Sequence, residues 1–157
     1  MRSTLCRIAL GLWIVTVGVA GWFFVKGWTT QGTDGRMEIV LASAERDLIL
    51  GEMRMLLKGV HGVVTGLAGQ NQEADRTQIE QAARSAGMGM AADVNPALMA
   101  KLPLPFKQMG MSIHTDMDVL AEAIMNKETP QQILQRLSSI TIRCTVCHDL
   151  YRFSTEH

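Results

Sequence analysis

Cys144, Cys147 and His148 form the run C-T-V-C-H. Two thiols three positions apart, followed at once by an imidazole, can do only a few things. They could hold zinc, exchange a dithiol for a disulfide, or attach a c-type haem. In the last case both thiols add to vinyl groups of the macrocycle, and the imidazole becomes an axial ligand of its iron. Zinc wants four ligands, usually from two separated pairs, and the one other cysteine, Cys6, opens a distant apolar segment. A thioredoxin-like dithiol expects a strand–turn–helix setting, which the flanking residues lack. A disulfide between residues three apart on a helix is strained. The spacing therefore predicts one covalent haem c on Cys144 and Cys147, with His148 on its iron.

Composition narrows the setting. The 157 residues carry 15 Lys+Arg and 15 Asp+Glu, so no bulk field favours nucleic acid. Eleven methionines are many for this length. Met is usually flexible core filler, and it is also a haem ligand.

Residues 8–25 (IALGLWIVTVGVAGWFFV) carry no charge and are bracketed by Arg7 and Lys26. That length sits at the lower limit for spanning a bilayer. Trp13, Trp22 and Trp28 supply aromatics of the kind found at membrane interfaces. A cleaved signal peptide has a shorter apolar core and then a polar stretch. Here residues 21–25 stay apolar beyond the small-residue run at 18–20. Residues 1–26 are thus expected to be an uncleaved anchor meeting the bilayer through 8–25. Arg2 and Arg7 place the amino end in the cytoplasm. The chain is then a single-pass protein of the cytoplasmic membrane, with its C-terminal domain in the periplasm of a Gram-negative cell. Residues 27–36 (GWTTQGTDGR) read as a flexible linker, and 37–157 as the haem-binding domain.

Beyond the linker the pattern is helical throughout, and no window alternates like a strand. A first helix over 37–68 carries Leu41, Ala44, Leu48/Ile49, Met53, Leu56, Val60, Val63/Val64 and Leu67 at steps of three and four. A second runs over 75–86, with Asp75 and Gln78 spaced as a capping box. A long loop broken by Gly and Pro leads to a third helix starting near Pro105, with Phe106, Met109, Ile113, Met117, Leu120 and Ile124 inward. The fourth opens with Thr129 as cap, Pro130 at its first position and Gln132 three after the cap. Its stripe of Ile133, Leu137 and Ile140 continues through Cys144, Cys147/His148 and Tyr151. The expected fold is all-α: an antiparallel four-helix bundle behind an N-terminal transmembrane helix, with the haem motif turned inward.

The sixth position on the iron decides the function. An open site binds small gases, whereas a Met there makes an electron carrier of raised potential. Met53, Met55, Met88, Met90, Met109, Met111, Met117, His61 and His114 are the candidates. Met53 shares a face with Ile49, Leu56 and Val60 and points inward. Met55 shares one with Glu52, Gly59 and Gly62 and points outward or to an interface. Met88 and Met90 lie in or beside the loop. Met109 and Met117 read as core, and His61 and His114 as solvated or capping histidines, His114 being placed to bond a haem propionate.

Four helices with C-x-x-C-H in the last one resemble the cytochrome c-prime family, the class II c-type cytochromes. The resemblance covers about residues 38–153. It rests on Cys144-Thr145-Val146-Cys147-His148-Asp149-Leu150-Tyr151-Arg152 and on the helix ending Gly66-Leu67-Ala68-Gly69-Gln70. It implies thioether bonds at Cys144 and Cys147, His148 as proximal ligand, and Arg152 as a basic residue beside that imidazole. Counting back from Gly69 puts Met53 at the family's distal position, where low-spin members carry a Met that binds the iron. The membrane anchor departs from the soluble periplasmic members.

The implied function is a membrane-anchored carrier of single electrons with His148/Met53 ligation. Its partners are a membrane redox complex or another cytochrome, and a homodimer is compatible with it. Two alternatives are a haem protein taking nitric oxide or carbon monoxide at an open sixth site, and a haem-bearing accessory subunit packed through Gly11, Gly18 and Gly21. No nucleophile–base pair or carboxylate cluster points to an enzyme.

Overall fold

The computed structural model describes residues 2–69, 72–91 and 95–155. These residues are mostly helical, with six helices and one small sheet. Helix α1 (Arg2–Lys26) is long and apolar enough to cross a membrane, about 37 Å at 1.5 Å per residue. Its apolar side chains stand exposed along their length. Gly27 ends it at φ +65°, with its N–H donating to the Phe23 carbonyl at 2.8 Å. A side chain at Gly27 would also meet the Lys101 carbonyl at 2.5 Å, so both backbone angle and space demand glycine.

The stretch expected to be a free linker is structured. Strand β1 (Thr29–Gln31) pairs antiparallel with β2 (Met37–Leu41) across a turn in which Gly35 takes φ +85°. Strand β3 (Tyr151–Thr155) pairs parallel with β2, Met37 opposite Tyr151 and Leu41 opposite Thr155. The expectation of an all-α chain without a sheet is therefore corrected. Residues Met37–Leu41 do alternate, with Ile39 and Leu41 fully buried, but the run is too short to stand out beside the helical period that follows.

The remaining helices are α2 (Ser43–Ala68), α3 (Gln72–Arg84), α4 (Pro96–Lys101), α5 (Leu104–Met125) and α6 (Pro130–Leu150). Helix α2 starts after the strand, where the Glu45 carboxylate accepts from the Ala42 N–H at 2.9 Å. Helix α3 starts before Asp75, which leaves the expected Asp75/Gln78 cap inside the helix. Asn95 caps the short α4 inside the long loop, and residues 92–94 of that loop lie outside the described residues. Helix α6 has the expected box: Thr129 Oγ1 accepts from the Gln132 N–H at 3.3 Å, and Gln132 Oε1 accepts from the Thr129 N–H at 2.9 Å.

Two apolar clusters organise these elements. One joins Val63 of α2, Ile79 and Ala83 of α3, Ile113, Met117, Leu120 and Ile124 of α5, and Ile133, Leu137 and Ile140 of α6. The other joins Ile39 and Leu41 of β2, Ile49 of α2, Leu98 of α4, Leu102 just after α4, and Phe106 of α5. Helices α2 and α3 pack closely because α2 turns Gly59, Gly62 and Gly66 toward its neighbour. A Cβ at Gly59 or Gly62 would stand 2.7 Å from the Cβ of Ala86 or Ala82. Helices α2 and α6 barely touch.

Candidate functional site

The motif occupies the last two turns of α6, where the two clusters meet. Cys144 is half-buried against the first cluster and Cys147 against the second. Helix α6 ends at Leu150, and the Tyr151 N–H closes it by donating to the Cys147 carbonyl. His148 lies in this last turn and is exposed. Its carbonyl accepts from Arg36 Nη1 at 3.3 Å. All three cysteines of the chain are free thiols. Burial pushes the Cys147 thiol up to about 11, with Cys144 adding to the effect, and burial raises Cys144 as well. Both are therefore protonated at neutral pH.

Cys147 and His148 form one wall of a solvent-open pocket of about 230 Å³. Leu50 and Met53 of α2 line it from across the gap between α2 and α6, with Arg46 of the same helix. Phe106, Tyr151 and Phe153 supply an aromatic wall, their rings packed edge to face at centroid distances of 5.3 and 5.8 Å. Arg36 and Arg152 complete the lining.

The sequence candidates separate on this geometry. Met53 is half-buried against the second cluster and lines the pocket with the motif. Met55 and His61 are exposed, and His61 Nε2 sits 3.5 Å from Thr65 Oγ1. His114 is buried with Nδ1 2.9 Å from the Ala86 carbonyl, so its ring serves the packing of α5 against α3. Met117 is fully buried in the first cluster, while Met88 and Met90 lie in the turn after α3. Met109 and Met111 are half-buried on α5 and do not line the pocket.

Arg152 is corrected in its setting. The helix stops before it, so it stands on β3 rather than one helical turn beyond His148. Its guanidinium bonds Glu38 at 3.2 Å and Asp34 at 3.5 Å, and its Nε is buried without a partner. Asp34 also binds Arg36 at 2.6 Å, and this hydrogen bond holds its carboxyl down at about 2. Arg36, Arg46, Phe106 and Phe153 were not legible as site residues. They reach the pocket through the sheet and the packing of α2 and α5, and no local spacing marks them.

Among the described residues no group of three or more His, Cys, Asp or Glu side chains gathers as a metal site.

Comparison with protein-family models, with curated proteins and with solved structures finds no match. The site must therefore be read from its own chemistry. The donor set fits a covalent haem: two thiols on one helix face, an imidazole next to them, and a thioether across the gap. At about 230 Å³ the pocket is smaller than the roughly 300–1,000 Å³ of sites that enclose a whole ligand. It would take only part of a larger group, and it is open to solvent. Aromatic walls suit the apolar face of such a group, and arginines suit carboxylates at its rim.

Proposed function

We propose that the chain is a membrane-anchored c-type cytochrome that carries single electrons. On this reading it belongs with the class II, c-prime-like proteins, with α2, α3, α5 and α6 as their antiparallel four-helix bundle. The observation that carries it is the sharing of one pocket by Met53, singled out by its helix register, and by Cys147 and His148 of the C-x-x-C-H motif. When bound, haem c supplies a one-electron iron couple.

The chain's own residues do the rest. Cys144 and Cys147 would hold the group through two thioether bonds. His148 would offer its imidazole and Met53 its thioether to the iron. Met53 is packed against the cluster that contains Ile49 and Phe106. Arg36, Arg46 and Arg152 bring guanidinium donors to the rim, where they are paired with Asp34, Asp47 and Glu38. Phe106, Tyr151 and Phe153 shield one side from water. None of this is catalytic machinery, and the protein acts as a carrier. Its domain lies on the exported face of the cytoplasmic membrane, in the periplasm, and its partner is a membrane redox complex or another cytochrome.

The test is expression with a covalent haem-attachment system, followed by denaturing electrophoresis and intact mass. The expected product is the chain plus one haem that survives denaturation. Cys144→Ala with Cys147→Ala abolishes it. A chain that leaves the same system without covalent haem overturns the assignment.

A further inference from the structure

The far end of α1 is joined to the domain by a set of specific contacts. The Trp28 N–H donates to the Lys101 carbonyl at 2.7 Å, and the Val40 N–H donates to the Trp28 carbonyl at 3.0 Å. Lys107 is buried on α5 and reaches back to the anchor. Its Nζ donates to the Phe24 carbonyl at 3.2 Å and to the Met99 carbonyl at 3.1 Å, and stands 3.8 Å from the centre of the Phe24 ring. A cation at the C-terminal end of a helix satisfies carbonyls that have no partner within it. Lys101 packs over the Trp28 ring at 5.1 Å and is paired with Glu45 of α2 at 2.8 Å. The anchor end is thereby tied to α4, α5 and the sheet, and α4 in turn to α2.

These ties lie at the pocket end of the domain. Phe106 lines the pocket, and the next residue, Lys107, caps the anchor. Helix α5 then runs on to Ile124 in the first cluster, about 25 Å farther at 1.5 Å per residue.

From this geometry we infer that α1 and the domain move as one rigid body, seating the pocket end of the domain on the lipid headgroups. The inference rests on α1 spanning the membrane. It replaces a carrier swinging on a tether by one held at fixed height, whose electron partner presents its own site at the bilayer surface. Trp22 and Trp28, with Lys26 6.0 Å from the Trp22 ring centre, provide the interfacial belt such seating needs.

The experiment uses the full chain in phosphatidylcholine nanodiscs, with nitroxides carried on unnatural residues at Thr16 in the anchor and Asn126 at the far turn. Intact mass first establishes that residues 1–26 are present. Pulsed electron resonance then gives the distance distribution. A single narrow distance is expected, and Lys107→Met broadens it while the helical content stays unchanged. A broad distribution in the unaltered, full-length chain overturns the rigid body and leaves the cytochrome reading standing. Loss of residues 1–26 overturns both the anchor and this inference. A distribution that stays narrow in Lys107→Met removes Lys107 from its role as the tie.

Discussion

Met53 on α2 and Cys147 on α6 pack against the same apolar cluster and line the same pocket, although their helices otherwise barely touch. The gap between those helices is closed on one side by β3 and Phe106 and is open on the other. On the proposed reading, a flat cofactor bonded to α6 and facing a thioether on α2 would fill this gap.

Burial of the Cys147 thiol makes the haem-free chain sensitive to alkali. The thiol keeps its proton up to about 11 in the folded chain, against 9.0 when free. The folded state therefore binds that proton more tightly, so its contribution is complete below about pH 9 and is lost as pH rises toward 11. Denaturant titrations of the haem-free chain should show stability falling across that window, and Cys147→Ala should flatten the fall. Equal slopes in both chains would contradict the burial argument.

Leu137 on α6 is 4% exposed within the first cluster. Leu137→Ala should cost about 2–5 kcal/mol, because a cavity is added to the lost transfer energy. Chemical unfolding of the full chain in detergent, followed by circular dichroism, measures this. A loss under about 1 kcal/mol, the size of an ordinary surface change, would place Leu137 outside the core.

The glycine stripe on α2 should be intolerant of bulk. A Cβ at Gly62 already meets Ala82 at 2.7 Å. Gly62→Ala should lower stability by about 1–3 kcal/mol through overpacking. Ala82→Gly should restore part of it in a double-mutant cycle, since the two positions touch. Additive losses would mean that α3 does not lie against this stripe.

Much of this arrangement was legible in the residues. The stripe from Ile133 to Ile140, the Thr129 box and the C-x-x-C-H spacing are local patterns, and each appears in the fold where its period places it. Met53 was reachable because a three–four period puts it on the face of Ile49. The sheet was not, because β2 and β3 pair in parallel across nearly the whole domain and each is only five residues long. That pairing delivers Arg152, Tyr151 and Phe153 to the pocket, so the strand setting of Arg152 and Tyr151, and Phe153 as lining, were hidden with it. The Gly/Thr-rich segment 27–36 looked free because its composition is that of a linker, whereas its backbone partners come from β2 and Lys101. The face of α2 with Gly59 and Gly62 looked polar or small, and its smallness is what lets α3 approach.

Ligation by Met53 is the central claim, and the optical spectrum of the haem-loaded full chain tests it most directly. The spectrum is recorded oxidised and reduced, before and after carbon monoxide, for the unaltered chain and for Met53→Ala. A low-spin spectrum unmoved by the gas, turning high-spin and gas-binding in Met53→Ala, is the predicted result. A high-spin spectrum or immediate carbon monoxide binding in the unaltered chain contradicts it and makes the open sixth site, and with it gas binding, the function of this pocket.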